Sequence, residues 1–384
     1  IFTAVIGIVL APLIPAGWSG RIGADSVDNV RQILASSMLA VTTFSLATMV
    51  SAYATASSAT TPRVAELLIQ DSSAQNALGT FVGSFLFSLV GIIALNAGVY
   101  GASGRVVLFV GTIGAIAVIV VTLLRWIDLL ARFGRVGDAI DRVEAAAMQA
   151  MRARWKQPCI GARMRAGPAP TVAAVTSAKI GYVQHIDVEA LERLAAAAGG
   201  EIHVDALPGA FVDTARPIAW LDFTPDEATR AAVCAAFNVG ARRSFDQDPR
   251  FGLIVLSEIA SKALSPAIND PGTAIATMAA LVRVLAILAE PREAESEIFH
   301  PHVFIPALAV EDLFDDAFSP ISESGAGTLA VGIRLQKTLR ALSAFHHPEF
   351  RAAARHQSRL ALARARHALA LSADVARLTH EAVA

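Results

Sequence analysis

The first third of the chain is a series of apolar runs separated by short polar breaks. The runs are residues 1–14 ("IFTAVIGIVLAPLI"), Ile33 to Ala56, Leu78 to Asn96 and Val106 to Leu124. A helix needs about 20 apolar residues to cross the hydrocarbon core of a bilayer. Four runs in succession therefore predict a polytopic membrane domain, the first run being short only because the chain begins inside it. That start, apolar and without Met, also leads us to expect further residues upstream. A signal peptide would show one run and then stop. Core helices of a soluble domain usually keep a polar face, and the third and fourth runs have none.

Lys and Arg near the ends of spans set orientation. Arg125, Arg132, Arg135, Arg142, Arg152, Arg154 and Lys156 follow the fourth run, whereas the preceding loop "NAGVYGASG" carries no charge. The stretch after the fourth run is thus expected on the cytoplasmic side of the inner (plasma) membrane. With four spans, both termini share that side.

From Trp126 the periodicity changes. "WIDLLARFGRVGDAIDRVEAAAMQAMRARW" has the pattern of an amphipathic helix, with Trp126 as an interfacial anchor. "KQPCIGARMRAGPAP" reads as a linker, and "TVAAVTSAKIGYVQHIDV" as strand material. "EIHVDALPGAFVDTARPIAWLDF" predicts a hairpin turning at Pro208-Gly209. "TPDEATRAAVCAAFNVG" predicts a helix capped by Thr224, and helical patterns continue to the C-terminus. The predicted architecture is a four-helix α-helical membrane domain (1–125), an amphipathic connecting helix and linker (126–165), and a cytoplasmic α+β domain with a helical C-terminal half (166–384).

Composition narrows the function. Of 384 residues, 54% are apolar, and mean hydropathy is +0.52, both high for a soluble protein. A net charge of −1 gives no electrostatic case for nucleic acid as a partner. Cys159 and Cys234 form no CxxC pair, and the histidines show no HExxH spacing, so no metal is expected. No Walker A, GxGxxG or GxSxG signature supports a nucleotide, dinucleotide or acyl-transfer reading, and no cofactor is expected. Between Lys179 and Lys262 there is no lysine, which excludes a carrier-domain role for the Pro208-Gly209 turn.

Two stretches hold candidate chemistry. In "FDQDPRFGLIVLSEIASKALSPAINDPGTAIATMAALVRVLAIL", Asp248-Pro249 and Asp270-Pro271 are each suited to cap a helix. Ser265, Asn269 and Asp270 supply more polar groups than a cap requires, so this loop is also a candidate ligand site, together with Asp246, Asp248, Arg242 and Arg243. The second stretch is the Ser/Thr-rich run from Ser36 to Ser58. Ser37, Ser45, Thr48 and Thr55 fall near one helical face. That face suits tight helix packing or the wall of an aqueous pore. No Asp, Glu, Lys, Arg or His lies within the core of the four runs, which argues against a proton-coupled pump.

"QDPRFGLIVLSEIASKALSPAINDPGTA", "GYVQHIDVEAL", "LPGAFV" and "SSATTPRVAELLIQDSSAQNALGTFVGSF" together resemble the DUF2254 family of predicted bacterial membrane proteins. The resemblance spans nearly the whole chain. It implies transmembrane helices followed by a cytoplasmic domain, and no established activity. Where the family usually has an acid after "PG", this chain has Ala210.

The leading expectation is an oligomeric, channel-like or transport protein passing ions or small solutes, with a cytoplasmic regulatory domain. Its expected partners are the lipid bilayer and further copies of itself. The alternatives are a membrane-anchored sensor or scaffold that binds a ligand through the cytoplasmic domain, and a membrane-bound enzyme using Asp246, Asp248, Asn269 and Asp270.

Overall fold

The computed structural model describes residues 24–59, 61–69, 72–97, 102–132, 135–170, 172–291 and 297–383. The first apolar run lies outside the described residues. The chain divides into two compact units, Ile1–Asp138 and Ala139–Ala384.

In the first unit, helices α1 (Ala24–Ala59), α3 (Ser72–Asn96) and α4 (Ala102–Arg132) are joined in sequence through a short α2 (Pro62–Ile69). Within them, Asn29–Thr55, Ser73–Asn96 and Val106–Ala131 are long and apolar enough to cross a membrane. Arg31, early in α1, lies against Gly91, late in α3, so these two helices run antiparallel. The buried stripe of α3 is Ala74, Ala77, Phe81, Ser84 and Ser88, a 3-4-3-4 spacing of mostly small side chains. α1 answers with Arg31, Leu34, Met38 and Ser45, and α4 with Thr112, Ile119 and Trp126, seven residues apart. Small residues allow the close backbone approach that van der Waals packing in lipid requires. Trp126, near the end of the span Val106–Ala131, belongs to this packed cluster and is only 3% exposed. Away from the seam, Ile33, Leu39, Phe44, Leu86, Ile93, Val118 and Leu124 are exposed, with Phe44 at 69%. Apolar surface of that extent suits hydrocarbon and not water.

The second unit is mixed α/β. It opens with α5 (Val136–Lys156), which begins in the last residues of the first unit. Strands β1 (Ala162–Met164), β2 (Ala173–Thr176), β4 (Ile202–Val204), β6 (Pro217–Leu221) and β8 (His300–Ile305) form a sheet in the order β1-β8-β4-β6-β2. Strands β3 (Gly181–Ile186), β5 (Phe211–Val212) and β7 (Phe237–Gly240) form a second sheet in the order β5-β3-β7. Val183, Ile186, Ile202, Val204, Leu221, Val303 and Ile305 from the two sheets share one core with Leu191 of α6 (Val188–Ala198). Asp187 caps α6, and Gly199 closes it in the left-handed conformation.

The Pro208-Gly209 segment does not make the predicted hairpin. β4 pairs with β6, whereas β5 pairs with β3, so the turn passes the chain from one sheet to the other. Its residues dock on β3 instead: Gly209 N donates to Val183 O at 2.8 Å, and Ala210 O accepts from Val183 N at 3.0 Å. The following helix, α7 (Glu227–Ala235), is capped by Asp226, not Thr224, through a 2.7 Å bond from Thr229 N.

The C-terminal half packs α8 (Pro249–Ala263), α9 (Pro271–Ala286), α10 (Val310–Ser324), α11 (Leu329–Ser343) and α12 (Phe350–Ala368), with α13 (Ser372–His380) against α11 and α12. Phe314, Phe318 and Phe350 are fully buried, their rings in edge contacts at 5.6 and 5.2 Å. The segment Pro271–Ala289 also has the length and apolar composition of a span. Here those residues are used differently: Ala274, Thr277, Met278, Leu281, Val284 and Leu285 are buried, and α9 packs on α8 and α11.

Candidate functional site

The segment from Arg242 to Arg250 is the polar hub of the second unit. Asp248 caps α8, its Oδ1 accepting from Arg250 N and Phe251 N at 3.2 Å each. Its Oδ2 accepts from Arg243 Nε at 2.8 Å and pairs with Nη2 at 2.7 Å. The Asp248 side chain is 1% exposed. Burial pushes its carboxyl above the usual range, and the Arg243 charge pulls it back in part. Gly209 lies directly over this pair with φ +91°, and a Cβ there would overlap Asp248 and Arg243.

Neighbouring side chains fix the hub to β3 and α5. Gln247 Oε1 accepts from Ile186 N at 2.9 Å, and its Nε2 donates to Ile186 O at 3.3 Å. His185 Nδ1 lies 2.7 Å from Asp246 Oδ2. Arg242 O accepts from Gln184 Nε2 at 2.8 Å. Arg154 Nη2 donates to Gln247 O at 3.2 Å, while its Nη1 is buried and has no partner among the described residues. Arg154 is 8% exposed; desolvation lowers the guanidinium, offset in part by Cys159 and Asp248. Burial likewise pushes the Cys159 thiol up, so it sits as an inert buried thiol. Cys159 and Ile160 both hold positive φ, 54° and 57°.

Of the candidate residues, Arg242, Arg243, Asp246 and Asp248 thus converge, together with Gln247, His185 and Arg154, which the sequence reading did not assign. Ser265, Asn269 and Asp270 lie apart from that hub, in the junction between α8 and α9. Asp270 Oδ1 accepts from Thr273 N at 3.1 Å and its Oδ2 from Thr273 Oγ1 at 2.6 Å. Ser265 O accepts from Ile268 N and Asn269 N. Asn269 has φ 48°, so the loop reverses tightly before the cap. The Asp270 carboxylate is thus engaged in the cap, and Asn269 is exposed.

In the first unit, Ser37 donates to Leu34 O at 3.1 Å, Thr48 to Phe44 O at 2.8 Å and Thr55 to Ser51 O at 3.0 Å. Bonded to their own helix, these hydroxyls are satisfied without a partner chain. Ser45 is buried in the seam. At 100° per residue, Ser37, Thr48 and Thr55 fall on one line, roughly 80° around the helix from Ser45. Thr55 is exposed, and Ser37 and Thr48 are half-buried. The helix also begins earlier than the apolar run, which brings Arg31 inside the span Asn29–Thr55.

The profile of the family described as "Predicted membrane protein (DUF2254)" matches residues 1–341. The chain belongs to the DUF2254 family. Two relatives, "Uncharacterized protein Mb1321c" of Mycobacterium bovis and "Uncharacterized protein Rv1290c" of Mycobacterium tuberculosis, are each 33% identical to it over 115 residues. That match covers 28% of this DUF2254 chain and 22% of each relative. No solved structure matches. Membership agrees with the apolar helices of the first unit and assigns no chemistry to the hub.

Proposed function

We propose that this DUF2254 protein is an oligomeric, passive conduit in the bacterial inner membrane, its second unit acting as a cytoplasmic regulatory module. The supporting observation is the line Ser37, Thr48 and Thr55 on α1, set apart from the buried stripe that holds α1 to α3 and α4. Copies meeting around that line would surround a path with hydroxyls. Such a wall hydrates ions or small solutes without fixing them. Among the described residues, the spans Asn29–Thr55, Ser73–Asn96 and Val106–Ala131 keep many exposed apolar side chains, which suit lipid and neighbouring copies. The Arg-rich stretch that follows α4 supports the cytoplasmic placement. The test is flux through liposomes that contain the full chain, with crosslinking to count copies. Flux that falls in Thr48→Leu and Thr55→Leu supports the reading. A monomer without flux overturns it.

A second reading is a membrane-anchored sensor. Its support is Arg154, a buried cation with an unsatisfied Nη1 beside the Asp248 hub. It predicts that a small anion, with inorganic phosphate as the probe, raises the unfolding temperature of the full chain and not of Arg154→Met.

A further inference from the structure

From Phe350 to Ala384 the sequence contains neither Gly nor Pro. Two helices nonetheless form there, α12 and α13, parted at Leu369, Ala370 and Leu371. Alanine and leucine are among the strongest helix formers, so local propensity favours one helix through Phe350–His380. The break is kept by what α13 touches. Of its residues only Leu378 is buried, at 1% exposed. Leu378 enters a cavity lined by Val331, Gly332 and Leu335 of α11 and by Ala361 and Ala365 of α12. Gly332 makes the room, since a Cβ there would stand 3.2 Å from a Leu378 methyl carbon. Beyond Leu378, the Glu381 carboxylate lies 3.2 Å from Arg340 Nη2 and 3.8 Å from Lys337 Nζ. Arg340 Nη2 also donates to Glu381 O at 2.6 Å, and Val383 N donates to Ser358 Oγ at 3.0 Å. At its other end α13 starts without a side-chain cap, after Leu371 with φ −94° and ψ 123°. A helix held by one leucine and a C-terminal clamp, and joined by residues that favour helix, has two arrangements: docked, or continuous with α12.

We propose that the groove between α11 and α12 is a docking site for α13 of a second copy, reached by straightening Leu369–Leu371 into helix. This rests on the oligomer of the conduit reading above. In the continuous arrangement Leu378 and Glu381 are carried away from their own groove, because a straight helix cannot fold back on itself. The groove that matches them is the one on a neighbouring copy, where Gly332, Arg340 and Lys337 receive them in the same way. The exchange is reciprocal, each copy giving one α13 and accepting one, so the contact closes on a two-fold axis. Every docked contact is kept. The gain is helical bonding through three good helix formers and the removal of an uncapped helix start. The cost is the freedom of two separate copies, which copies already gathered in one membrane have largely given up. The donated Leu378 fills the cavity that the partner's own α13 has left.

The experiment is disulfide trapping of the full chain in membranes, with two differently tagged forms co-expressed, one carrying Gly332→Cys and the other Leu378→Cys. An ideal Cβ at 332 lies 3.9 Å from Leu378 Cγ, near where a cysteine sulfur at 378 would sit. Exchange puts a 332–378 bond between the two tags, and peptide mapping separates it from bonds to Cys159 or Cys234. Ser372→Pro should cut that bond at least several-fold. Residue 372 is the first helical position of α13, which accepts proline, and Leu371 already has the extended backbone that precedes proline. A continuous helix does not accept proline there. A chain carrying both cysteines together with Ser372→Pro should close the bond within itself. A pair that closes only within chains overturns the proposal, and the conduit reading stands if crosslinking still counts several copies. Monomers alone overturn both. A bond between tags that Ser372→Pro leaves undiminished also overturns the proposal, because straightening is then not the route. Where the first pair closes no bond at all, Ser358→Cys with Val383→Cys takes its place. If that pair too closes none, α13 does not occupy the groove and the proposal falls.

Discussion

Asp248 and Arg243 pair at 2.7 Å, the carboxylate sealed from solvent and the guanidinium reaching its edge. The asymmetry determines which partner can be lost more cheaply. Without Asp248, Arg243 keeps some hydration. Without Arg243, an ionised Asp248 is stranded in the interior. Breaking a buried pair costs about 3–5 kcal/mol when a charge is left uncompensated. Arg243→Ala should therefore lower stability by about 3 kcal/mol, more than Asp248→Asn, which also keeps a capping side chain. Adding Asp248→Asn to Arg243→Ala should restore part of the loss. Unfolding temperatures of the four proteins in detergent check the order. Equal losses in both single variants would contradict it.

Gly209 and Gly137 make opposite predictions for the same change. Gly209 combines φ +91° with a Cβ position already taken by Asp248 and Arg243. Gly209→Ala incurs backbone strain of about 1–3 kcal/mol and displaces the pair as well. At Gly137, near the start of α5, a Cβ meets nothing within 4 Å. There alanine should be neutral or should stabilise by up to about 1 kcal/mol, since glycine is the poorer helix former. A destabilised Gly137→Ala, or a tolerated Gly209→Ala, would be plain in thermal melts.

The hydroxyls of α1 should likewise separate by position. Ser45 is buried in the seam against α3 and α4, so Ser45→Leu overpacks it and costs about 1–3 kcal/mol. Thr55 is exposed and bonded to its own helix, so Thr55→Leu should leave the melting temperature nearly unchanged. A loss of flux in Thr55→Leu at normal stability then reports on the conduit, whereas a loss in Ser45→Leu reports on folding. Equal destabilisation by both would mean that α1 is turned differently.

What could be read from the sequence was local. Spans appeared as runs of apolar residues, and the Asp248-Pro249 and Asp270-Pro271 caps as dipeptides whose function is complete within four residues. What escaped was set by distant partners. β8 lies beside β4 and β1, about 100 residues or more away in sequence, so nothing near His300 announces a strand. The 207–212 segment has the punctuation of a hairpin, but whether β4 and β5 pair depends on β3 and β6. Of the hub, the carboxylates and arginines drew notice as charges. Gln247 did not, since an amide earns its role only once Ile186 and His185 stand opposite it. Arg31 was missed because an apolar run has no fixed start in sequence; a helix that begins at Ala24 draws it inside.

Asp270 carries a pH dependence that can be worked out from its cap. The Thr273 hydroxyl, and then the Thr273 N–H, hold its carboxyl below the usual range. A carboxyl depressed in the folded state binds fewer protons there than in the unfolded chain. Its stabilisation is therefore complete above the unfolded value, about 3.9, and is lost as pH falls through the lower folded value. At pH 7, Asp270→Ala should cost about 1 kcal/mol, the usual worth of an N-cap. The gap between wild type and Asp270→Ala should narrow as pH falls below about 4. Asp270→Asn caps without titrating and should stay nearly level with the wild type at pH 7, then surpass it in acid. Melting temperatures at pH 7 and pH 3 decide. A gap between wild type and Asp270→Ala that is unchanged at pH 3 would mean that the Asp270 charge contributes nothing, and that turn geometry alone starts α9.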